Sequence, residues 1–210
     1  MFTGIVQDKV LVHTVQEEPH LKTLTLSFSQ ALLAGLQLGA SVAVEGCCLT
    51  VVAIDGQLVR FQIIQETLDR TMLGDLKASD WVNVERSARF GDEIGGHCVS
   101  GHIHTVATIT HIERSTNSHI VTLSFPISFM PYIFSKGFIS LAGCSLTLVG
   151  VDRLQAHFSV HLIPETLART TWASKKIGDR VNVELDQQTM TIVDTVNTYM
   201  KSIKPYEQIN

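Results

Sequence analysis

The chain has 210 residues, 45% hydrophobic and 17% charged, a globular balance with apolar surface enough for two cores of about 100 residues each. A net charge of −4 and a pI near 6.1, with no Lys/Arg cluster, exclude a nucleic-acid footprint and point to a small-molecule partner. No apolar run approaches the roughly 18 residues of a membrane helix, and MFTGIVQDKV carries no basic-then-apolar leader, so a soluble, cytoplasmic protein is expected.

Strand patterns begin early. Leu24, Leu26 and Phe28 alternate with Thr23, Thr25 and Ser27, the period of a half-buried strand. Ser29–Leu36 has brief helical character. Val42 to Val52 and Val59 to Ile64 are β-rich, with the hairpin signal Asp55-Gly56 between them. A second short helix is expected over Glu66–Leu73, and Trp81 to Val84 supplies another strand.

The same order then returns. LTLSF at 24–28 is answered by VTLSF at 121–125, and GCCLT at 46–50 by GCSLT at 143–147, both 97 residues on. Glu66-Thr67-Leu68 is answered by Glu165-Thr166-Leu167, and Val82-Asn83-Val84-Glu85 by Val181-Asn182-Val183-Glu184, now 99 residues on. Two residues are therefore added between Thr147 and Glu165, and the stretch from Asp152 to Ala156, facing Asp55-Gly56, is where they fit. A period this long means tandem domains rather than a solenoid. Six short strands per copy suit a small closed barrel, so the expected fold is all-β: two homologous six-stranded Greek-key barrels. The helical candidates recur at Ile127–Phe134 and Glu165–Trp172. The expected division is 1–97, 98–187 and a tail helix over 188–205. That tail has no counterpart in the first copy. Its residues Ile192, Val193, Val196, Tyr199, Met200 and Ile203 fall on a helical stripe, with Asp186 to Thr189 as a cap, and the stripe is expected to be buried on its own barrel or, in preference, on a partner chain.

Where the copies disagree, roles can separate. Cys48 faces Ser145, Ile5 faces His102, Gly39 faces Lys136 and Ser87 faces Asp186, while Thr50 and Thr147 agree. A Cys beside Leu is by itself most often core. The hydroxyl at the matching place argues for polar contact. His97, His102 and His104 lie in GGHCVSGHIHT, where Gly95, Gly96 and Gly101 permit close approach to a flat ligand. His102 and His104 would share a strand face, but no third ligand stands at a diagnostic spacing, so acid–base or hydrogen-bonding roles are expected ahead of metal binding. Cys47, Cys48, Cys98 and Cys144 read as free thiols. No GxGxxG or GxxxxGK[ST] motif occurs.

Together MFTGIV, GCCLTV at 46–51, ETL-R-T at 66–71, GDEIGGHCVSGHI at 91–103, KGFISLAGCSLT at 136–147 and LIPETLARTT at 162–171 closely resemble the riboflavin synthase family of double-barrel, lumazine-dismutating enzymes. The resemblance spans almost the whole chain. It implies that two molecules of 6,7-dimethyl-8-ribityllumazine yield riboflavin and 5-amino-6-ribitylamino-pyrimidinedione by transfer of a four-carbon unit, without cofactor or metal. One lumazine would lose a proton from its C7 methyl while the other accepts a nucleophile at C7. Two identical substrates explain two related pockets; two roles explain their differences.

Carried over by position, Cys48 and Ser145 would sit beside the rings and Thr50 and Thr147 would bond ring edges. The stretches around Gly4, Ile5 and Val6, around Gly101, His102 and Ile103, and beside Leu49 and Leu146 would line the sites. So would Gln62, Ile63, Ile64, Gln65, Glu66 and Thr67, matched by His161, Leu162, Ile163, Pro164, Glu165 and Thr166. Lys136 would reach ligand in a neighbouring subunit of a homotrimer, and the tail helix resembles the family's trimerising helix. His97, His102, Asp186, Ser41 and Phe2 are candidates for proton handling and pocket shape. Cys144, usually apolar in relatives, and His104 depart from the pattern. A non-catalytic lumazine- or flavin-binding antenna protein is the alternative.

Overall fold

In the computed structural model, which describes residues 1–115 and 119–203, each copy closes into a six-stranded antiparallel barrel. The first comprises β1 (Asp8–Glu18), β2 (Leu21–Ser27), β3 (Ser41–Val44), β4 (Cys47–Asp55), β5 (Leu58–Ile64) and β6 (Trp81–Arg86), joined around the ring as β1-β2-β5-β4-β3-β6. The second repeats that order with β7 (Thr105–Arg114), β8 (His119–Ser124), β9 (Phe138–Leu141), β10 (Cys144–Asp152), β11 (His157–Leu162) and β12 (Arg180–Leu185). Ring closure pairs both edges of every strand, so neither barrel offers a free edge to aggregate through.

The period of two in the sequence becomes an inside and an outside. Leu24, Leu26, Phe28, Leu49, Val51, Phe61 and Ile63 fill the first barrel, and Val121, Leu123, Phe125, Leu146, Leu148, Val160 and Leu162 fill the second. The interiors are therefore solid cores. Anything bound must lie on an outer face, where Cys48 and Thr50, or Ser145 and Thr147, alternate with the core residues.

Asp55 pairs with Leu58 across a turn of two residues, whereas Asp152 pairs with His157 across four, so the two added residues fall in the β10–β11 turn as expected. Asp152 Oδ1 accepts the N–H groups of Leu154 and Gln155, both at 3.0 Å, which settles the longer turn without shifting the strands beside it.

The helices are shorter and more broken than the sequence reading. Ser29–Leu36 contains only α1 (Gln30–Leu33), and Ile127–Phe134 becomes a three-ten helix over Ile127–Tyr132, where Pro131 has no N–H to give an α-helical bond. Glu66–Leu73 resolves into α2 (Gln65–Arg70) and a three-ten turn (Met72–Asp75), and Glu165–Trp172 into α3 (Pro164–Arg169) and another (Thr171–Ser174). The break has one cause in both copies. The hydroxyls of Thr71 and Thr170 donate to the carbonyls of Thr67 and Thr166 at 2.7 and 2.6 Å, and accept the N–H of Leu73 and Trp172, replacing helix bonds with local ones.

The tail forms α4 (Gln187–Ser202), with Asp186 Oδ2 accepting Thr189 N–H at 2.9 Å as its N-cap. Positions 204 and 205 of the expected tail lie outside the described residues. Met190 packs on the second core and Tyr132 donates to Asp194 at 2.6 Å, but Ile192, Val196, Tyr199, Met200 and Ile203 face solvent.

The two barrels meet through reciprocal contacts. Gly46 (φ +80°) and Gly143 (φ +83°) touch backbone to backbone, so that a methyl group on Gly46 would come within 2.6 Å of Gly143 N. Asn83 donates to Ala142 O and accepts Thr171 N–H, while Asn182 donates to Glu45 O and accepts Met72 N–H. Each Asn thus satisfies backbone of the opposite barrel.

Candidate active site

Each copy begins with a short segment ahead of its first strand, and each segment, anchored on its own barrel, reaches across to the other. Gly4 O accepts Ser145 N–H at 2.7 Å, and Gly101 O accepts Cys48 N–H at 2.8 Å. The segments have crossed. Both glycines are left-handed, at φ +74° and +85°, and a Cβ on either would lie 2.6 Å from the Ser145 Cβ or 2.5 Å from the Cys48 Cβ. Glu85 fastens the first segment by accepting Thr3 N–H (2.6 Å), Thr3 Oγ1 (2.7 Å) and Gly4 N–H (3.1 Å). Glu184 fastens the second through Ser100 N–H (2.6 Å), Ser100 Oγ (2.7 Å) and Gly101 N–H (2.8 Å). Burial raises both carboxyls above the usual range, and these donors pull them back towards the charged form.

The crossing builds two clefts. One, of about 320 Å³, is lined by Cys47, Cys48, Glu66, Thr67, Arg70 and Thr71 of the first barrel with Gly101, His102 and Ile103 of the second segment. The other, of about 420 Å³, is lined by Cys144, Ser145, Leu146, Ile163, Glu165, Thr166, Arg169 and Thr170 with Gly4, Ile5, Val6 and Gln7 of the first segment. In both, the helix after the fifth strand forms one wall, with an i,i+4 pair along it: Glu66 with Arg70, and Glu165 with Arg169.

Ser145 of the second cleft has an imidazole partner, His97, from the segment between the barrels. Its Nδ1 lies 2.6 Å from Ser145 Oγ, and its ring stacks on Phe138 with centroids 5.1 Å apart. Burial lowers the pKa of His97 and the charge of Asp186 partly opposes this, which favours the neutral ring, the form that can accept a hydroxyl proton. Cys98 points outward while His97 is buried, as adjacent extended residues should.

Other candidates are placed differently. Thr50, Thr147, Gln62, Ile64, Gln65 and His161 are exposed on outer strand faces or at the strand–helix corner beside the clefts, and Pro164 opens α3. Leu49, Ile63 and Leu162 turn into the cores. Phe2 is buried with Ala43 and Val99, its ring behind Gly101 and Cys48. Ser41 pairs with Thr50 in the β3–β4 ladder and accepts from Ser87 through its carbonyl. Lys136 is exposed, left-handed at φ +67° like its counterpart Gly39, and lines neither cleft. His104 Nδ1 accepts Leu185 N–H at 3.2 Å, committing that nitrogen, and no cluster of three metal-ligating side chains occurs among the described residues. The four cysteines are free; Cys47, Cys48 and Cys144 all border the clefts, but Cys47 and Cys144 are buried, which pushes their thiols up to about 12, while Cys48 is partly exposed. Glu85, Glu184, Arg70 and Arg169 escaped the sequence reading as site residues. The signal was present, since all four stand in motifs repeated between the copies.

A family model for the lumazine binding domain matches residues 3–87 and again 100–186. The riboflavin synthase of Escherichia coli (strain K12) is 51% identical over 197 residues, 93% of this chain and 92% of that one. Those of Buchnera aphidicola subsp. Schizaphis graminum and Chlamydia pneumoniae are 44% and 42% identical, each over 96% of this chain and 96% or 98% of theirs. Among solved structures, LumP complexed with riboflavin superposes with a TM-score of 0.82 at 27% identity, covering 89% of this chain and all of that one, and LumP with 6,7-dimethyl-8-(1'-D-ribityl) lumazine gives 0.81 at 25% over the same shares. Two matched barrels, two crossed clefts and these likenesses place the chain in the riboflavin synthase family.

Proposed function

We infer that this protein is an active riboflavin synthase, converting two molecules of 6,7-dimethyl-8-ribityllumazine into riboflavin and 5-amino-6-ribitylamino-pyrimidinedione with no cofactor. The observation that carries this is the pair of clefts built alike and equipped differently, one around Cys48 and one around Ser145 with His97. Like build suits two copies of one substrate. Unlike equipment suits one copy giving four carbons and the other receiving them. The neutral His97 takes the proton of the Ser145 hydroxyl and so serves proton transfer at the second cleft, while Cys48, His102, Thr50 and Thr147 position rings whose own conjugation carries the charge. Holding two rings face to face contributes chiefly through orientation.

The sites come together between chains in this reading. The uncovered stripe of α4 joins three subunits, setting the first barrel of one against the second barrel of another, with Lys136 reaching a neighbour's ligand and Asp186 and Ser41 at the edge of the joined site. Division at residues 97 and 98, a tail from 188, and a cytoplasmic location belong to the same reading. A non-catalytic antenna role, drawn from the LumP likeness, is weaker: LumP is 25–27% identical where the synthases reach 51%, and here the paired GC-[CS]-LT and GH-GH motifs are intact.

The test is incubation of chelator-dialysed protein with the lumazine. Riboflavin and the pyrimidinedione appear in equal amounts if the reading holds; lumazine binding without riboflavin would establish the antenna role instead.

A further inference from the structure

We propose that Glu85 and Glu184 are crossed positioning residues, each carboxylate in one barrel setting the ligand site of the other. The inference rests on the clefts being ligand sites. A carboxylate that is 97% shielded from water is costly to keep charged, and among the described residues neither Glu has an ion-pair partner within 4 Å; the N-terminal ammonium for Glu85 and His102 for Glu184 favour the charged form less than the hydrogen bonds do. What offsets the cost is three donors apiece, and every one of those donors belongs to an opening segment: Thr3 and Gly4 for Glu85, Ser100 and Gly101 for Glu184.

Those segments also serve the barrel that does not carry the Glu. Gly4 turns its carbonyl to Ser145, and the residues after it line the second cleft; Gly101 turns its carbonyl to Cys48, and His102 and Ile103 line the first. The chain of contacts runs from Glu85 through Gly4 to the Ser145 cleft, and from Glu184 through Gly101 to the Cys48 cleft. Left-handed glycine backbone pressed within van der Waals distance of the cleft floor has no side chain to lock it in place. The carboxylate supplies that lock. Without it, the segment keeps its chain connection but loses the fixed position of one cleft wall.

The two sites can be read separately in the full chain with riboflavin as the probe. Cys48 lies in only one cleft, so its protection from iodoacetamide, followed by peptide mass with exposed Cys98 as internal control, reports that site, while fluorescence quenching of riboflavin reports total binding. For Glu184→Gln, the riboflavin concentration that protects Cys48 rises about tenfold or more, the worth of one hydrogen bond to a charged group, while the other site keeps its affinity. For Glu85→Gln, Cys48 protection stays at the wild-type concentration and the second binding event weakens by a similar factor. The milder Thr3→Val and Ser100→Ala, which each remove one donor, give the same crossed pattern at smaller size and stand in if either Gln variant fails to fold. Weakening in the barrel that carries the mutation, or equal weakening at both sites, overturns the proposal. Wild-type protein that neither quenches riboflavin nor protects Cys48 would instead overturn the ligand-site reading beneath it.

Discussion

Glu45 is the most exposed to test of the features that break the symmetry between the copies. It is only 1% accessible, its Oε1 accepts Asn83 N–H at 2.7 Å, and its Oε2 has no hydrogen-bond partner, with Lys175 Nζ 3.9 Å away. The opposite half of the same contact is closed by Ala142, Met72 and Leu76, where this half has Glu45, Thr171 and Lys175. Burial raises the Glu45 carboxyl and Lys175 opposes that rise. Lys175→Leu removes the cation beside Glu45 and leaves a buried carboxylate, which costs about 3 kcal/mol, the lower end for a broken buried pair because Lys175 keeps 13% of its side chain in water. At a urea slope of about 2 kcal/mol/M the midpoint falls by roughly 1.5 M. Copying the whole opposite half, as Glu45→Ala with Thr171→Met and Lys175→Leu, replaces the pair by packed apolar groups and returns the midpoint to within about 0.5 M of wild type. Fluorescence of the fully buried Trp172 follows the transition. A neutral Lys175→Leu, or a triple variant no better than the single one, would refute the claim that Lys175 offsets the burial of Glu45.

His97→Ala lowers kcat by about a hundredfold or more, the lower range for a lost proton-transfer group, while KM changes little; unchanged kcat in steady-state assays would remove His97 from proton handling. Because burial depresses its pKa, the imidazole stays able to accept a proton until the pH drops below the ordinary 6.5, so the acid limb of kcat lies under pH 6.5. Asp186 opposes that depression, so Asp186→Asn, which still caps α4, moves the limb further towards acid; movement towards neutral would be the wrong sign. Cys48→Ala and Ser145→Ala reduce turnover unequally, since only Ser145 is paired with an imidazole, and equal losses with unchanged binding would argue against distinct roles. Truncation after Asp186 leaves both barrels folded but shifts the sedimentation to a monomer and cuts turnover about a hundredfold, as oriented pairing of reactants is lost; a fully active monomer would show the site to be complete in one chain.

The division of labour between sequence and tertiary structure follows from what a period can encode. Alternation at Leu24–Leu26–Phe28 and its copy, the hairpin at Asp55-Gly56 and the two added residues before Ala156 are local facts, and local sterics and burial carried them straight into strands and turns. The capped, striped α4 was legible for the same reason. Helix breaks at Thr71 and Thr170 were less so, because a hydroxyl that bonds its own backbone competes with the helix only by a small margin. Asn83, Glu85, Asn182 and Glu184 alternate with valines and so read as the wet faces of β6 and β12. They are buried because a second barrel and two opening segments cover those faces, and no periodicity records what lies across an interface. The sequence by itself determined two like barrels with unlike residues at matching places. Only the tertiary structure decided that each barrel's cleft is finished by the other's opening segment, because that choice depends on backbone glycines meeting across the chain, at Gly4 with Ser145 and Gly101 with Cys48, where no side chain leaves a pattern to read.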